Sequence, residues 1–172
     1  MKTFKNTLVI LAVIFFTISC SSDSDANENN PVPQATNYFL KAKIDGVLYE
    51  SSTALGVLAG RSGDRITIAS ASSDNRSFNI VLSYAPTNAV GTYTIPVSEG
   101  ADYLLKMEHG DGTTAIFSAG ACSGLSGTLK ITSVSATVIE GTFSFTAKRS
   151  SGCAQEAKVI TEGSFKSPYI NE

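Results

Sequence analysis

Residues 141–148 read Gly141-Thr142-Phe143-Ser144-Phe145-Thr146-Ala147-Lys148. Phe143, Phe145 and Ala147 alternate with hydroxyl and charged side chains. A period of two with one apolar side is the pattern of a half-buried strand in an antiparallel sheet. The pattern repeats outward from this stretch in both directions. Leu40, Ala42 and Ile44 alternate with Lys41 and Lys43, and Phe78, Ile80, Leu82 and Tyr84 with Asn79 and Ser83. Tyr93, Ile95 and Val97 follow the same rule, as do Tyr103, Leu105 and Met107, and Leu129 with Ile131. No window keeps a helical period. Asp45-Gly46, Gly63-Asp64, Ser73-Asp74-Asn75, Gly110-Asp111-Gly112 and Ser151-Gly152 separate the runs. Each supplies residues that tolerate the positive φ of tight hairpins. Nine to eleven short strands are too many for one flat sheet. The expectation is an all-β domain, an antiparallel meander closed or bent into a barrel or a two-sheet sandwich.

Gly91-Thr92-Tyr93, Gly127-Thr128-Leu129 and Gly141-Thr142-Phe143 share one form, and Gly163-Ser164-Phe165 echoes it. The spacings are unequal, which excludes a solenoid repeat. The reading is a hairpin entry used several times, with glycine leaving the turn and the apolar residue pointing inward.

The first residues carry an address. Lys2 and Lys5 precede an apolar run, Leu8–Phe16, and then Thr17-Ile18-Ser19-Cys20. Nine apolar residues fall short of the roughly 20 that span a bilayer, but a basic start, a short apolar core and small residues describe a signal peptide. The Cys20 segment resembles the lipobox of bacterial lipoproteins, with Thr17 where the commonest form has Leu. That resemblance implies a diacylglycerol thioether on Cys20 and cleavage before it. Residues 21–36, SSDSDANENNPVPQAT, offer almost nothing to bury and read as a flexible acidic tether. The acidic start resembles the tract that routes some such lipoproteins to the cell surface. Three segments follow: 1–19 signal peptide, 20–36 lipidated Cys20 and tether, 37–172 a single β-domain. The expected location is the outer membrane, lipid-anchored and facing the cell surface, with the inner leaflet as the alternative.

Loss of residues 1–19 lowers the 13 basic residues by two, to 11 against 15 acidic ones, a net charge near −4. A nucleic-acid partner would select a basic face, so none is expected. Cys122 and Cys153 form an even pair in an oxidising compartment, each in a Gly/Ser-rich loop, and are expected to bond. Two cysteines and the distant His109 make no metal-ligand set. No metal and no cofactor are expected.

Phe39-Leu40-Lys41-Ala42-Lys43-Ile44-Asp45-Gly46, the GTFSFTAK stretch and the closing Val159-Ile160-Thr161-Glu162-Gly163-Ser164-Phe165 resemble an uncharacterised domain of Bacteroidetes lipoproteins. The likeness covers about 130 residues. It implies the same address and fold, and brings no activity with it.

Chemistry is sparse. His109, the one histidine, reads as a solvated loop residue, and no G-x-S-x-G elbow accompanies it. Asp45, Glu50, Asp102, Glu108 and Glu140 are carboxylates that sequence cannot pair into the opposed acids of a glycosidase. Asp111 and Ser73-Asp74-Asn75 read as turns rather than calcium ligands. Tyr84, Tyr93 and Tyr103 fall on apolar strand sides. Tyr49 and Tyr169 are expected to be exposed and able to meet a sugar. Ala69, Ala71, Ala115 and Ala119, if inward, would leave room for a small apolar ligand. The expectation is a non-catalytic binding or accessory module with no assigned ligand-binding residue. It would meet a glycan, a small apolar ligand or an envelope protein partner. The alternatives are a structural or protein-interaction scaffold of the outer membrane and a hydrolase acting on glycans.

Overall fold

A computed structural model describes residues 37–53, 56–149 and 151–171. Residues 35–172 form one compact unit. Eleven strands occur among the described residues: β1 (Phe39–Ile44), β2 (Val47–Glu50), β3 (Val57–Ser62), β4 (Arg65–Ala71), β5 (Arg76–Ser83), β6 (Gly91–Ile95), β7 (Leu104–Asp111), β8 (Ile116–Ser118), β9 (Gly127–Val134), β10 (Val138–Arg149) and β11 (Lys158–Asn171). The protein is all-β, as the alternation requires.

The strands form one sheet bent into a hydrogen-bonded ring. The order is β2-β1-β11-β3-β4-β5-β7-β8-β10-β9-β6, and β10 pairs back onto β11. β10 and β11 are the longest strands, and each serves two neighbours in turn. β11 pairs with β1 from Ile160 to Lys166 and then with β3 from Tyr169 to Asn171. β10 pairs with β9 from Ile139 to Phe145 and then with β8 at Lys148 and Arg149. The β11–β3 pairing is parallel and every other one is antiparallel, so the sheet is mixed. β11 thus lies between β1, to which it is antiparallel, and β3, to which it is parallel.

The inner face carries the core. Leu40, Ile68, Phe78, Ile80, Leu82, Met107, Leu129, Ile131, Phe143, Phe145 and Phe165 are all buried. Phe78 touches Tyr49, Phe143 and Phe145 edge to face. Each such side chain contributes about 1.5–3 kcal/mol when fully buried.

The repeated glycines have a different reason from the one the pattern suggests. Gly91 and Gly127 begin β6 and β9, but Gly141 and Gly163 lie inside β10 and β11. Gly141 faces Phe165 and Gly163 faces Phe143 across the same strand pair. A Cβ on Gly141 would meet the Phe165 ring at 2.6 Å, and one on Gly163 would meet the Phe143 ring at 2.7 Å. Each bare glycine lets the opposite ring lie over the strand. An extra residue in β11 around Glu162, with φ of 52°, bends the strand there.

Register fixes two ends. At the entry end the chain arrives at Phe39 opposite Lys166, β11 finishes beside Gly60 and Arg61, and the 84–90 loop lies close by. The other end holds the Asp45-Gly46 turn, with φ of 50° and 82° as a type I′ hairpin needs. The cysteine loops lie there too. Both edge strands are short and blunted. An Arg76 N–H donates to the Leu48 carbonyl of β2 at 3.5 Å, and Thr94 N–H of β6 donates to the Tyr103 hydroxyl at 3.0 Å.

Candidate functional site

His109 is a core residue, not a loop residue. The alternation that buries Leu105 and Met107 continues to position 109, and His109 is only 2% exposed. It pairs with Phe78 on β5 and Phe117 on β8. Its ring lies 5.1 Å from the Phe78 centroid and 6.2 Å from that of Phe117. Nδ1 stands 3.1 Å from the Ser77 carbonyl, so Nδ1 carries the proton and donates it. Burial pushes the imidazole pKa below its ordinary 6.5, and the bond to Ser77 offsets part of that.

Charged side chains form a collar at this end of the ring. Asp45 accepts from Lys158 Nζ at 2.7 Å and from the Val159 N–H at 2.8 Å. Asp111 accepts from Thr113 Oγ1 at 2.6 Å and faces Arg149 at 3.9 Å. Asp74 accepts from the Ser72 hydroxyl and from Arg76 Nε at 2.7 Å. Hydrogen bonds from Lys158, Thr113 and Ser72 hold the three carboxyls below the usual carboxylate range. Arg149 and Lys158 lie over the Phe117 ring at 5.7 and 6.0 Å. The collar gathers acids near His109, as acid–base chemistry would need. Yet the acids are held ionised, and the imidazole is sunk between two rings.

Three of the other carboxylates are each paired with a lysine. Glu50 pairs with Lys41 at 3.1 Å, Glu108 with Lys106 at 2.9 Å and Glu140 with Lys166 at 2.9 Å. Exposed pairs of this kind contribute little to stability. Asp102 lies in the loop before β7. Among the described residues no His, Cys, Asp or Glu side chains converge in a set that could hold a metal ion.

Cys122 and Cys153 are bonded, with sulfurs 2.02 Å apart and Cα atoms 5.7 Å apart. The bond ties the loop after β8 to the β10–β11 loop. Lys148 Nζ donates to the Cys153 carbonyl at 2.8 Å. Ile95, Pro96 and Leu125 line a groove of about 530 Å³ beside it, open to solvent. Cys20, the expected lipid site, lies outside the described residues.

Several expectations about surface and interior are overturned. Tyr49 is 0% exposed and Tyr169 is buried. Tyr49 bonds Ser70 Oγ at 3.0 Å, because pairing with Ala42 puts it on the inner face. Tyr84 is 60% exposed, since its φ of 55° ends the alternation of β5. Ala115 and Ala119 are buried, but Ala69 is exposed and Ala71 only half-buried, because Ile66 and Ile68 take the inner face of β4. The buried rings of Tyr49, Phe78, Phe143, Phe145 and Phe165 all lie in this interior.

The outer face of β6, β9, β10 and β11 is rich in hydroxyls. Register aligns Thr92, Lys130, Thr142 and Ser164 in one row, and Thr94, Thr128 and Ser144 in the next. Shallow hollows of about 370 and 200 Å³ lie to either side of Ser144. Sequence reading also missed Arg61. Its guanidinium donates to the carbonyls of Gly63, Ala85 and Pro86, each at 2.9 Å, and so pins the 84–90 loop. An arginine between strand residues gives no signal of partners 25 positions away.

The model of a family described as a domain of unknown function, DUF6252, matches residues 36–167. The chain belongs to that family. The match takes in β1 to β10, most of β11 and both glycine–aromatic pairs, and stops before the Tyr169–Asn171 pairing with β3. No curated protein and no solved structure matches the chain.

Proposed function

We propose that this DUF6252 domain is a non-catalytic binding or accessory module of a Bacteroidetes-type envelope lipoprotein. In this reading it is held by lipid on Cys20 at the outer membrane and presented to the cell surface. It recognises a glycan on the hydroxyl-lined face around Ser144. The observation that carries this reading is the contrast between a filled interior and an open, polar outer face. Threonine and serine hydroxyls both donate and accept, and their rows repeat at the strand spacing of about 4.8 Å. Such a lattice suits an extended polar chain better than an apolar ligand. A hydrolase is the weaker reading, because the acids nearest His109 are bonded in the ionised state.

The test is the melting temperature of the mature chain, residues 20–172, against a panel of glycans, fatty acids and calcium. A ligand at about 100 times its Kd adds roughly 2.7 kcal/mol, a shift of several degrees. A shift with one glycan class, lost in Ser144→Arg, supports the reading. No shift with any glycan removes it and favours the protein-interaction scaffold. That second reading is favoured by the absence of any aromatic side chain among the aligned outer-face residues, since sugar sites commonly use one.

A further inference from the structure

The entry end has a surface that the proposed recognition face does not use. Leu58 and Ile170 are 53% and 51% exposed and flank a groove of about 260 Å³ floored by Gly60. The β3–β4 turn next to it carries Arg61 and Arg65. Arg61 spends its donors on carbonyls of its own chain. Arg65 forms no ion pair among the described residues. The Ala85 N–H donates to the Asp64 carbonyl at 2.7 Å, which holds the chain just after exposed Tyr84 against the β3–β4 turn. Leu104, also exposed, pairs with Ser83 at the same end. Aliphatic side chains, a tyrosine and an arginine without an ion pair suit a surface that meets lipid headgroups; the collar end also exposes Val47, Leu48, Ile116 and Val159, so composition alone does not choose between the ends.

Topology says which surface faces such a layer. β1 begins at Phe39 opposite Lys166, and β11 ends four or five residues later beside this groove. The 17 residues from Cys20 to position 36 join the domain at that end. A chain of 17 residues reaches at most about 60 Å. A surface held so close meets the bilayer at high effective concentration, so a weak contact is enough.

We propose that the entry end is a lipid-contact face, with Tyr84 and Ile170 seated among the headgroups of an anionic bilayer and Arg65 paired to their charge. This rests on the lipoprotein reading above, and it turns the collar end and its disulfide away from the membrane.

The test replaces the acyl chains, so that it does not depend on acylation. The mature chain with Cys20→Ser is held through an N-terminal histidine tag on vesicles of phosphatidylethanolamine and phosphatidylglycerol containing a nickel-chelating lipid. A dye is placed in turn at Tyr84→Cys, Ile170→Cys and Ser144→Cys, with the native disulfide verified by mass. Quenching by a headgroup nitroxide lipid should be several-fold greater at 84 and 170 than at 144. Arg65→Glu should lower that lipid-facing population about fivefold or more. Equal quenching at the three positions, or the greatest quenching at 144, overturns the proposal. A difference that persists unchanged in phosphatidylcholine overturns the role given to Arg65. Acylation of Cys20 is read separately, from the mass of the N-terminal peptide, so the two readings fail independently.

Discussion

The two ends of the ring use the same residue types to opposite purpose. At the collar end, Asp45, Asp74 and Asp111 are each bonded to a neighbour, and Cys122 is bonded to Cys153. The imidazole of His109 is sealed between rings beneath them. At the entry end, Arg65 has no ion pair among the described residues, and Tyr84 and Ile170 project into solvent, with exposed Leu58 further along the wall. Arg61 is the exception, a lock on the open side. The difference teaches where stability resides. A side chain contributes when its partner is already fixed by a strand, as Asp45 finds in Val159. It contributes little when it ends in water. Changes at the collar should therefore cost stability, while changes at the exposed side chains of the entry end, Arg61 apart, should alter binding alone.

The largest effect should come from the disulfide. It spans a sequence separation of 31, and closing a loop of that size stabilises by about 3–4 kcal/mol in the chain-entropy model. Urea unfolding of the double variant Cys122→Ser/Cys153→Ser should show that loss against the oxidised parent. A loss under about 1 kcal/mol would mean that the loops are held by other contacts and that the collar owes little to the bond.

The second effect is a pH dependence. His109 is neutral when folded, with its pKa lowered below 6.5 by burial. Above the unfolded pKa this costs nothing. As pH falls below about 6.5 the unfolded chain takes a proton that the folded chain refuses, so stability falls by up to about 1.4 kcal/mol per pH unit. Asp45, Asp74 and Asp111 have lowered pKa values, and their contribution is lost only near and below their ordinary 3.8. The interval from about pH 6.5 to 4.5 is thus mainly the histidine's. Denaturant midpoints across that interval should drop in the parent and stay level in His109→Phe. The slope is the readout, since the substitution also strands the Ser77 carbonyl and lowers the intercept. A parent curve that stays flat would place the imidazole in contact with water.

The fold was legible because the alternation is long and clean where the core is. Phe143, Phe145 and Ala147 were placed inside on pattern alone, as were Leu40, Ala42 and Ile44, and all six are buried. Legibility failed where a run is too short to carry parity. Tyr49 follows a turn by three residues, and only its register with Ala42 decides its face. Tyr84 belongs to a long run, but a left-handed bend ends the parity one residue early. Position 109 was misread because Gly110-Asp111-Gly112 looks like a turn, while the strand runs through to Asp111 before bending. The roles of Gly141 and Gly163 depend on which aromatic ring lies opposite, and a single strand's sequence does not record its neighbour. The collar was illegible for the same reason, because its charged members come from six separate strands and turns.

The smallest effect should be at the entry end, and it sharpens the contrast most. Leu58→Ser, Tyr84→Ser and Ile170→Ser each remove a side chain that is half or more exposed and lies outside the buried core. Substitutions away from caps, cores and networks usually stay within about 0.5 kcal/mol. The same urea unfolding should find the triple variant within roughly 1–1.5 kcal/mol of the parent, with Tyr84 adding independently and Leu58 and Ile170, which flank one groove, coupling by a fraction of that. Arg61→Ala, one residue from Gly60, is the internal control at this end. It strands the carbonyls of Ala85 and Pro86 without their donors, and it should cost more than any of the three. If the triple variant instead lost several kcal/mol, those apolar side chains would be covered in the folded protein. Their exposure could then no longer be held for a partner, and the division of labour between the two ends would fail with it.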